Sequence, residues 1–139
     1  MVDPHPDTLR DLVMSSARAL RRRWFVALEP WRLSPHEYRA LHVIGRDGDR
    51  HPRLGDVAKA LHIAPRSATE VVDRLEQRGL TERVPDAADR RATCVRLTEA
   101  GHRIIGELET ARAADAEDFF AALDDHDRAE LRRILDKLR

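Results

Sequence analysis

The side chains best suited to chemistry in this sequence are arginines, and two groups of them stand where they would act together. One follows Pro65: Arg66, Ser67, Glu70, Asp73 and Arg74 fall on one side of a helical repeat, opposite the apolar Ala68, Val71, Val72 and Leu75. The other is Arg90-Arg91, at the tip of the polar stretch 85–92. Neither group breaks or makes bonds by itself; both bind anions. Small polar and basic groups at the start of a helix leave room for base edges in a major groove, which long apolar side chains would block. A basic hairpin tip suits a minor groove, where negative potential is focused.

Other chemistry has little to stand on. The chain contains no nucleophile elbow, phosphate-cradling glycine loop or metal-protease motif, so neither an enzyme nor a bound cofactor is expected. Seven histidines raise a metal reading, but His36, His42 and His102 lack the i, i+4 partner or paired cysteines that a metal site needs. The lone Cys94 cannot close an internal disulfide and fits a reducing compartment. It alternates away from Val95 and Leu97, which places it on the half-exposed face of a strand.

The 139 residues and 42% hydrophobic content suffice for one core. Lys+Arg 25 and Asp+Glu 25 cancel, so only their placement is informative. Residues 50–96 hold ten basic and seven acidic side chains, and residues 97–139 hold seven and eleven. A mildly basic middle followed by an acidic end fits a polyanion-facing segment beside a partner-facing one. No apolar run approaches the ~20 residues of a bilayer span, and the first residues lack the blocks of a signal peptide, so a cytoplasmic protein is expected.

The elements that must position the arginines follow from periodicity and punctuation. Leu9, Leu12, Val13, Leu20, Trp24 and Ala27 have helical spacing, and Pro30 ends that helix. Ser34-Pro35-His36-Glu37 begins a second helix, with Glu37 able to reach back as a capping box, and the glycine-bearing stretch 46–50 stops it. Leu54 to Leu61 and the helix opening at Pro65 form a helix-turn-helix, and Gly79 stands where a left-handed cap is wanted. Residues 80–84 and 93–97 then alternate as two strands of a hairpin. Thr98 caps a long helix through Phe119, and 124–138 supplies a last amphipathic one.

The stretch Val72-Asp73-Arg74-Leu75-Glu76-Gln77-Arg78-Gly79-Leu80-Thr81-Glu82-Arg83 resembles the MarR family. So does Asp86-Ala87-Ala88-Asp89-Arg90-Arg91 followed by Val95-Arg96-Leu97-Thr98-Glu99-Ala100-Gly101. The resemblance implies a mainly α fold with a small β-hairpin (α+β): a winged helix-turn-helix with N- and C-terminal dimerisation helices. Residues 1–139 would form a single MarR-type domain, with 34–98 as the winged lobe and 1–30 and 99–139 as the dimerisation helices. Arg66, Ser67 and Thr69 would approach bases, Arg74 would hold a phosphate, and Arg90 and Arg91 would occupy the wing tip. Asp89 would brace a wing arginine. Ala64 stands where the family often has Ser or Thr, which leaves the recognition helix without that side-chain cap.

The implied function is a DNA-binding transcriptional regulator, a repressor acting as a homodimer on double-stranded pseudo-palindromic DNA. A small aromatic or anionic effector would release it by binding at Trp31, His36 and Tyr38, with Trp24 either nearby or simply in the core. Each assignment has a plainer reading: Arg66 and Arg74 on a solvated helix face, Arg90 and Arg91 on an ordinary polar turn, the aromatics in a core. The alternatives are a winged helix that holds a protein partner through the same face, and a redox- or metal-responsive regulator.

Overall fold

The computed structural model describes residues 7–46 and 48–139. Its elements are α1 (Leu9–Ala27), a 3-10 turn (Glu29–Trp31), α2 (Pro35–Gly45), α3 (Leu54–Leu61), α4 (Pro65–Gln77), β1 (Thr81–Pro85), β2 (Thr93–Leu97), α5 (Glu99–Phe119) and α6 (Asp125–Asp136). Helices dominate and the one antiparallel sheet has two strands, which is the architecture expected. The described residues divide into two compact units, 28–109 and 7–27 with 110–139.

In the unit 28–109, α2, α3 and α4 pack around Leu41, Ile44, Val57, Leu61, Val72 and Leu75, each no more than 2% exposed. Packing of this kind excludes water from α4 on one side only: Ala68, Val71, Val72 and Leu75 are buried, while Arg66, Ser67, Glu70, Asp73 and Arg74 are exposed. His62, in the left-handed region at φ 55°, ends α3, and Pro65 opens α4 three residues later. The hairpin pairs Thr81 with Leu97 through Pro85 with Thr93. Cross-strand Glu82 and Arg96 form an ion pair of 2.6 Å on the exposed side.

Two local expectations are corrected. Ser34 does cap α2, its Oγ accepting from the Glu37 amide at 3.1 Å. The Glu37 carboxylate, however, does not complete a capping box. It is buried, 8% exposed, and lies 3.4 Å from Arg74 Nε and 3.7 Å from Arg78 Nη1. A carboxylate withdrawn from water needs cationic partners more than a helix amide needs a second acceptor. Cys94 is buried as well, 5% exposed, because β2 is not an edge strand at that point. Arg53 pairs with it as an isolated antiparallel bridge, and the Val95 amide donates to the Pro52 carbonyl at 2.9 Å.

The start of α5 is set by a close approach. The Thr98 amide donates to the Leu80 carbonyl at 3.1 Å, and the Gly101 amide donates to Thr98 Oγ1 at 3.1 Å. A Cβ on Gly101 would collide with the Leu80 carbonyl oxygen, whereas one on Gly106, a turn and a half later, would meet nothing within 4 Å.

In the unit 7–27 with 110–139, polar contacts do the joining. Arg23 pairs with Asp115 at 3.2 Å and Asp118 at 3.7 Å, and its guanidinium lies 5.9 Å over the Phe119 ring. Arg128 closes the turn from α5 to α6 by donating to the Phe120 and Leu123 carbonyls and to Glu117. Neither α1 nor α6 buries a single residue among those described. Leu9, Leu12, Val13, Met14, Phe25, Val26, Ile134, Leu135 and Leu138 are all exposed.

The two helical glycines of α5 should therefore respond oppositely to alanine. Gly101→Ala forces the helix off Leu80 and is expected to lower the unfolding free energy by about 1–3 kcal/mol. Gly106→Ala removes backbone freedom from the unfolded chain and is expected to raise it by roughly 0.5–1 kcal/mol. Urea unfolding at one protein concentration measures both.

Candidate nucleic-acid interface

The first turn of α4 offers donors that the protein itself does not use. Ala64 occupies the N-cap with no side chain to accept, and Pro65 has no amide hydrogen. The first backbone bond of the helix runs from the Ala68 amide to the Ala64 carbonyl at 3.1 Å. The amides of Arg66 and Ser67 thus point out of an open helix end, which favours an anion or an acceptor-rich surface. Both side chains are exposed beside them. Thr69 is half-buried, and its hydroxyl donates back to the Pro65 carbonyl at 3.1 Å, leaving its lone pairs to accept.

Arg74 sits further along α4 and is only partly free. Its Nε faces Glu37, while about half of the side chain remains exposed. Arg78 is committed to structure: it donates to the Arg32 carbonyl at 3.0 Å and to the Trp31 carbonyl at 2.6 Å. These bonds hold the turn in which Arg32 adopts φ 52°. Arg83, from β1, pairs with Asp73 at 2.6 Å and with Glu76, so these two carboxylates on the flank of α4 are neutralised internally, while Glu70 stays exposed with no cationic partner among the described residues.

The wing is a chain of short bonds. The Asp86 amide donates to the Ala92 carbonyl at 3.0 Å, Asp86 Oδ1 accepts from the Ala88 amide at 2.8 Å, and the Ala92 amide donates to the Asp89 carbonyl at 3.0 Å. Asp89 Oδ1 accepts from the Arg91 amide at 3.0 Å. Asp89 therefore braces the Arg91 backbone and not a guanidinium, because an Asx turn needs no ordering of a long side chain. Arg90 and Arg91 are exposed and pair with no carboxylate among the described residues.

Trp31, His36 and Tyr38 occupy three different surroundings. The Trp31 indole donates to Glu107 at 3.0 Å, Tyr38 is buried with its ring edge-on to His42 at 4.6 Å, and His36 is exposed. His42 Nε2 lies 2.9 Å from Glu109. A cavity of about 270 Å³ opens beside that pair, lined by Leu41, His42, Gly45, Leu97, Ile105 and Glu109 among others. No group of three or more His, Cys, Asp or Glu residues among those described is placed to hold a metal ion.

Two structural residues escaped the sequence reading, Arg53 and Glu107, and a third, Glu37, was expected in another role. Only Arg53 left a trace, as an arginine at a helix N-cap, where Ser, Thr, Asp or Asn is usual.

A helix-turn-helix whose second helix exposes an open, basic N-terminus, followed by a hairpin with two unpaired arginines, defines a winged-helix DNA-binding protein. A sequence profile of the MarR family matches residues 33–92. A transcriptional regulator of Bacillus subtilis (strain 168), the uncharacterized YsmB, is 29% identical over 122 residues, covering 88% of this chain and 82% of its own. A MarR family protein from Bacillus stearothermophilus, of solved structure, is 28% identical with a TM-score of 0.81, covering 94% of this chain and 89% of its own. A mutant of S. aureus MepR bound to an oligodeoxyribonucleotide shares the fold at a TM-score of 0.75 and 19% identity, covering 96% of this chain and all of its own. The chain belongs to the MarR family of winged helix-turn-helix, DNA-binding transcriptional regulators. No helix among the described residues is long and apolar enough to cross a membrane.

The Asp86 carboxyl is held below its ordinary value of 3.8, first by the Ala88 amide and then by Arg53. A depressed carboxylate stabilises the fold above its unfolded pKa and loses that contribution as pH falls through the folded one. The wing is thus expected to stay closed through the ordinary carboxylate range and open only below it. Following the Ala88 amide resonance down the pH scale checks this: its midpoint should lie below 3.8.

Proposed function

We propose that the protein is a homodimeric repressor that reads a pseudo-palindromic operator. Arg66, Ser67 and Thr69 meet base edges in the major groove, Arg74 holds a phosphate with the half of its guanidinium that Glu37 leaves free, and Arg90 and Arg91 enter the flanking minor groove. Asp89 contributes by shaping the wing. The observation that carries the reading is the exposure of the Arg66, Ser67, Arg90 and Arg91 side chains without partners among the described residues, with Asp73 and Glu76 on the flank of α4 neutralised by Arg83.

The homodimer rests on the apolar faces of α1 and α6, where six residues of α1 and three at the C-terminal end lie open in the single chain. A second copy related by a two-fold axis would cover them and set two recognition helices about 34–36 Å apart, one turn of the duplex. Residues 1–30 and 99–139 then serve the dimer and 34–98 the DNA. Release would come from a small aromatic or anionic effector that engages Trp31, His36 or Tyr38 and binds one separation of the lobes better than the other. The reading assigns no catalysis and no cofactor, and places the protein with its DNA in the cytoplasm.

Selection of binding sequences from random duplexes should recover an inverted repeat. Its affinity should fall with salt at a logarithmic slope of roughly −5 or steeper for a dimer neutralising six or more phosphates. Arg66→Ala should weaken the best site by about tenfold or more and relax one base position per half-site. Arg90→Ala/Arg91→Ala should weaken it through the flanking steps. Failure to recover any duplex, or a slope near zero, would contradict DNA binding and leave a protein-partner module.

A further inference from the structure

The wing is tied to the rest of the lobe by one ion pair that does not belong to the hairpin. Arg53 stands at the N-cap of α3, where its side chain cannot accept from the helix amides. Asp56 accepts instead from the Arg53 amide, at 3.0 Å. The guanidinium is thereby free to reach across β2. Its Nε and Nη2 both lie 2.7 Å from Oδ2 of Asp86, thirty-three residues later. The other oxygen of the same carboxylate accepts from the Ala88 amide at 2.8 Å. One carboxylate thus has one oxygen fixed on the helix-turn-helix and the other on the wing turn.

Backbone contacts put the pair on a rigid base. The Arg53 backbone bridges Cys94 on the free side of β2, while Val84 of β1 pairs with Cys94 on the other. The side chain spans from one edge of this three-stranded patch to the end of β1. Cys94 is buried there, and burial first, then the Asp86 carboxylate, pushes its thiol pKa up. The Asp86 side chain is 15% exposed and that of Arg53 49%, so the carboxylate is sheltered while the guanidinium keeps one side to solvent; among the described residues the wing tip beyond is held by the turn bonds of 86–92.

We propose that Arg53 is a positioning residue for DNA binding: through Asp86 it fixes the pose in which Arg90 and Arg91 are presented. This deepens the operator reading above and rests on it for its functional consequence. It makes the wing's contribution conditional on the N-terminus of α3. An ordered pair of guanidinium groups loses less freedom on entering a groove than a swinging one.

The test has two arms. Without DNA, amide exchange of Ala88, Arg91 and Ala92 is compared in the wild type, Arg53→Ala, Arg53→Lys and Asp86→Asn, with Val57, Val72 and Leu75 as fold controls. Arg53→Ala should speed exchange of the wing amides by about tenfold while the controls are unchanged, and Arg53→Lys, which keeps the charge but not the fork, should fall between. With DNA, affinity for the selected operator is measured in a cycle of Arg53→Ala against Arg90→Ala/Arg91→Ala. The wing double variant should cost about tenfold in the wild type and less than about twofold in the Arg53→Ala background.

Unchanged exchange in Arg53→Ala would overturn the bracket, and so would full additivity in the cycle, which would mean that Arg53 contacts DNA directly or not at all. If Arg53→Ala alone does not fold, Arg53→Lys and Asp86→Asn carry both arms. If the wild type binds no duplex, the operator reading fails, and the exchange arm alone decides whether Arg53 holds the wing.

Discussion

The recognition face of this protein depends on helix α4 being unable to rotate. Ala68, Val71, Val72 and Leu75 are each at most 2% exposed and interlock with α2 and α3. Successive residues of a helix differ by 100°, so a turn of even a fraction of that angle would lift a valine into water and drive an arginine into the core. The recognition face is therefore fixed by what lies behind it. Glu37 adds a polar lock at the same interface, since its buried carboxylate is compensated only while Arg74 and Arg78 stay beside it. Arg78 passes the constraint on to the turn at Trp31 and Arg32.

The charge pattern follows from the same division of labour. Asp73 and Glu76 flank the basic face of α4 and would repel a polyanion, yet both are paired with Arg83 from the hairpin. Glu82 is paired with Arg96 and Asp86 with Arg53. Among the described residues the arginines at the start of α4 and at the wing tip, Arg66, Arg90 and Arg91, have no carboxylate partner, while Glu70 and Asp89 are the acidic groups left without a cation beside them. A chain of zero net charge can in this way present a locally basic surface, which its composition conceals.

Much of the fold was legible in the sequence because it is punctuated locally. Pro30 and Pro35 bracket the first loop, Pro65 opens α4 as expected, and Gly79, at φ 71°, closes it. The alternation in 80–84 and 93–97 marked both strands within a residue. What could not be read depends on partners distant in the chain. Glu37 obeys the local spacing of a capping box, but two arginines thirty-seven and forty-one positions later take its carboxylate. Cys94 obeys the alternation of an exposed strand face, but Arg53 and Asp86 cover it. Asp89 was legible as a brace, whereas the group it braces, an amide, was not. Trp31, His36 and Tyr38 lie close in sequence, which does not fix which way each ring turns: the Trp31 indole meets Glu107, Tyr38 is buried beside His42, and His36 is exposed.

The N-terminal turn of α4 and the wing together form the surface proposed to meet DNA. The most direct measurement is an amide-resolved NMR map of the whole protein as a short duplex is added at low ionic strength. Shifts are expected to concentrate at Arg66, Ser67 and Thr69 and across 87–92, with α6 little changed. Shifts confined to α1 and α6, or none at all, would contradict it.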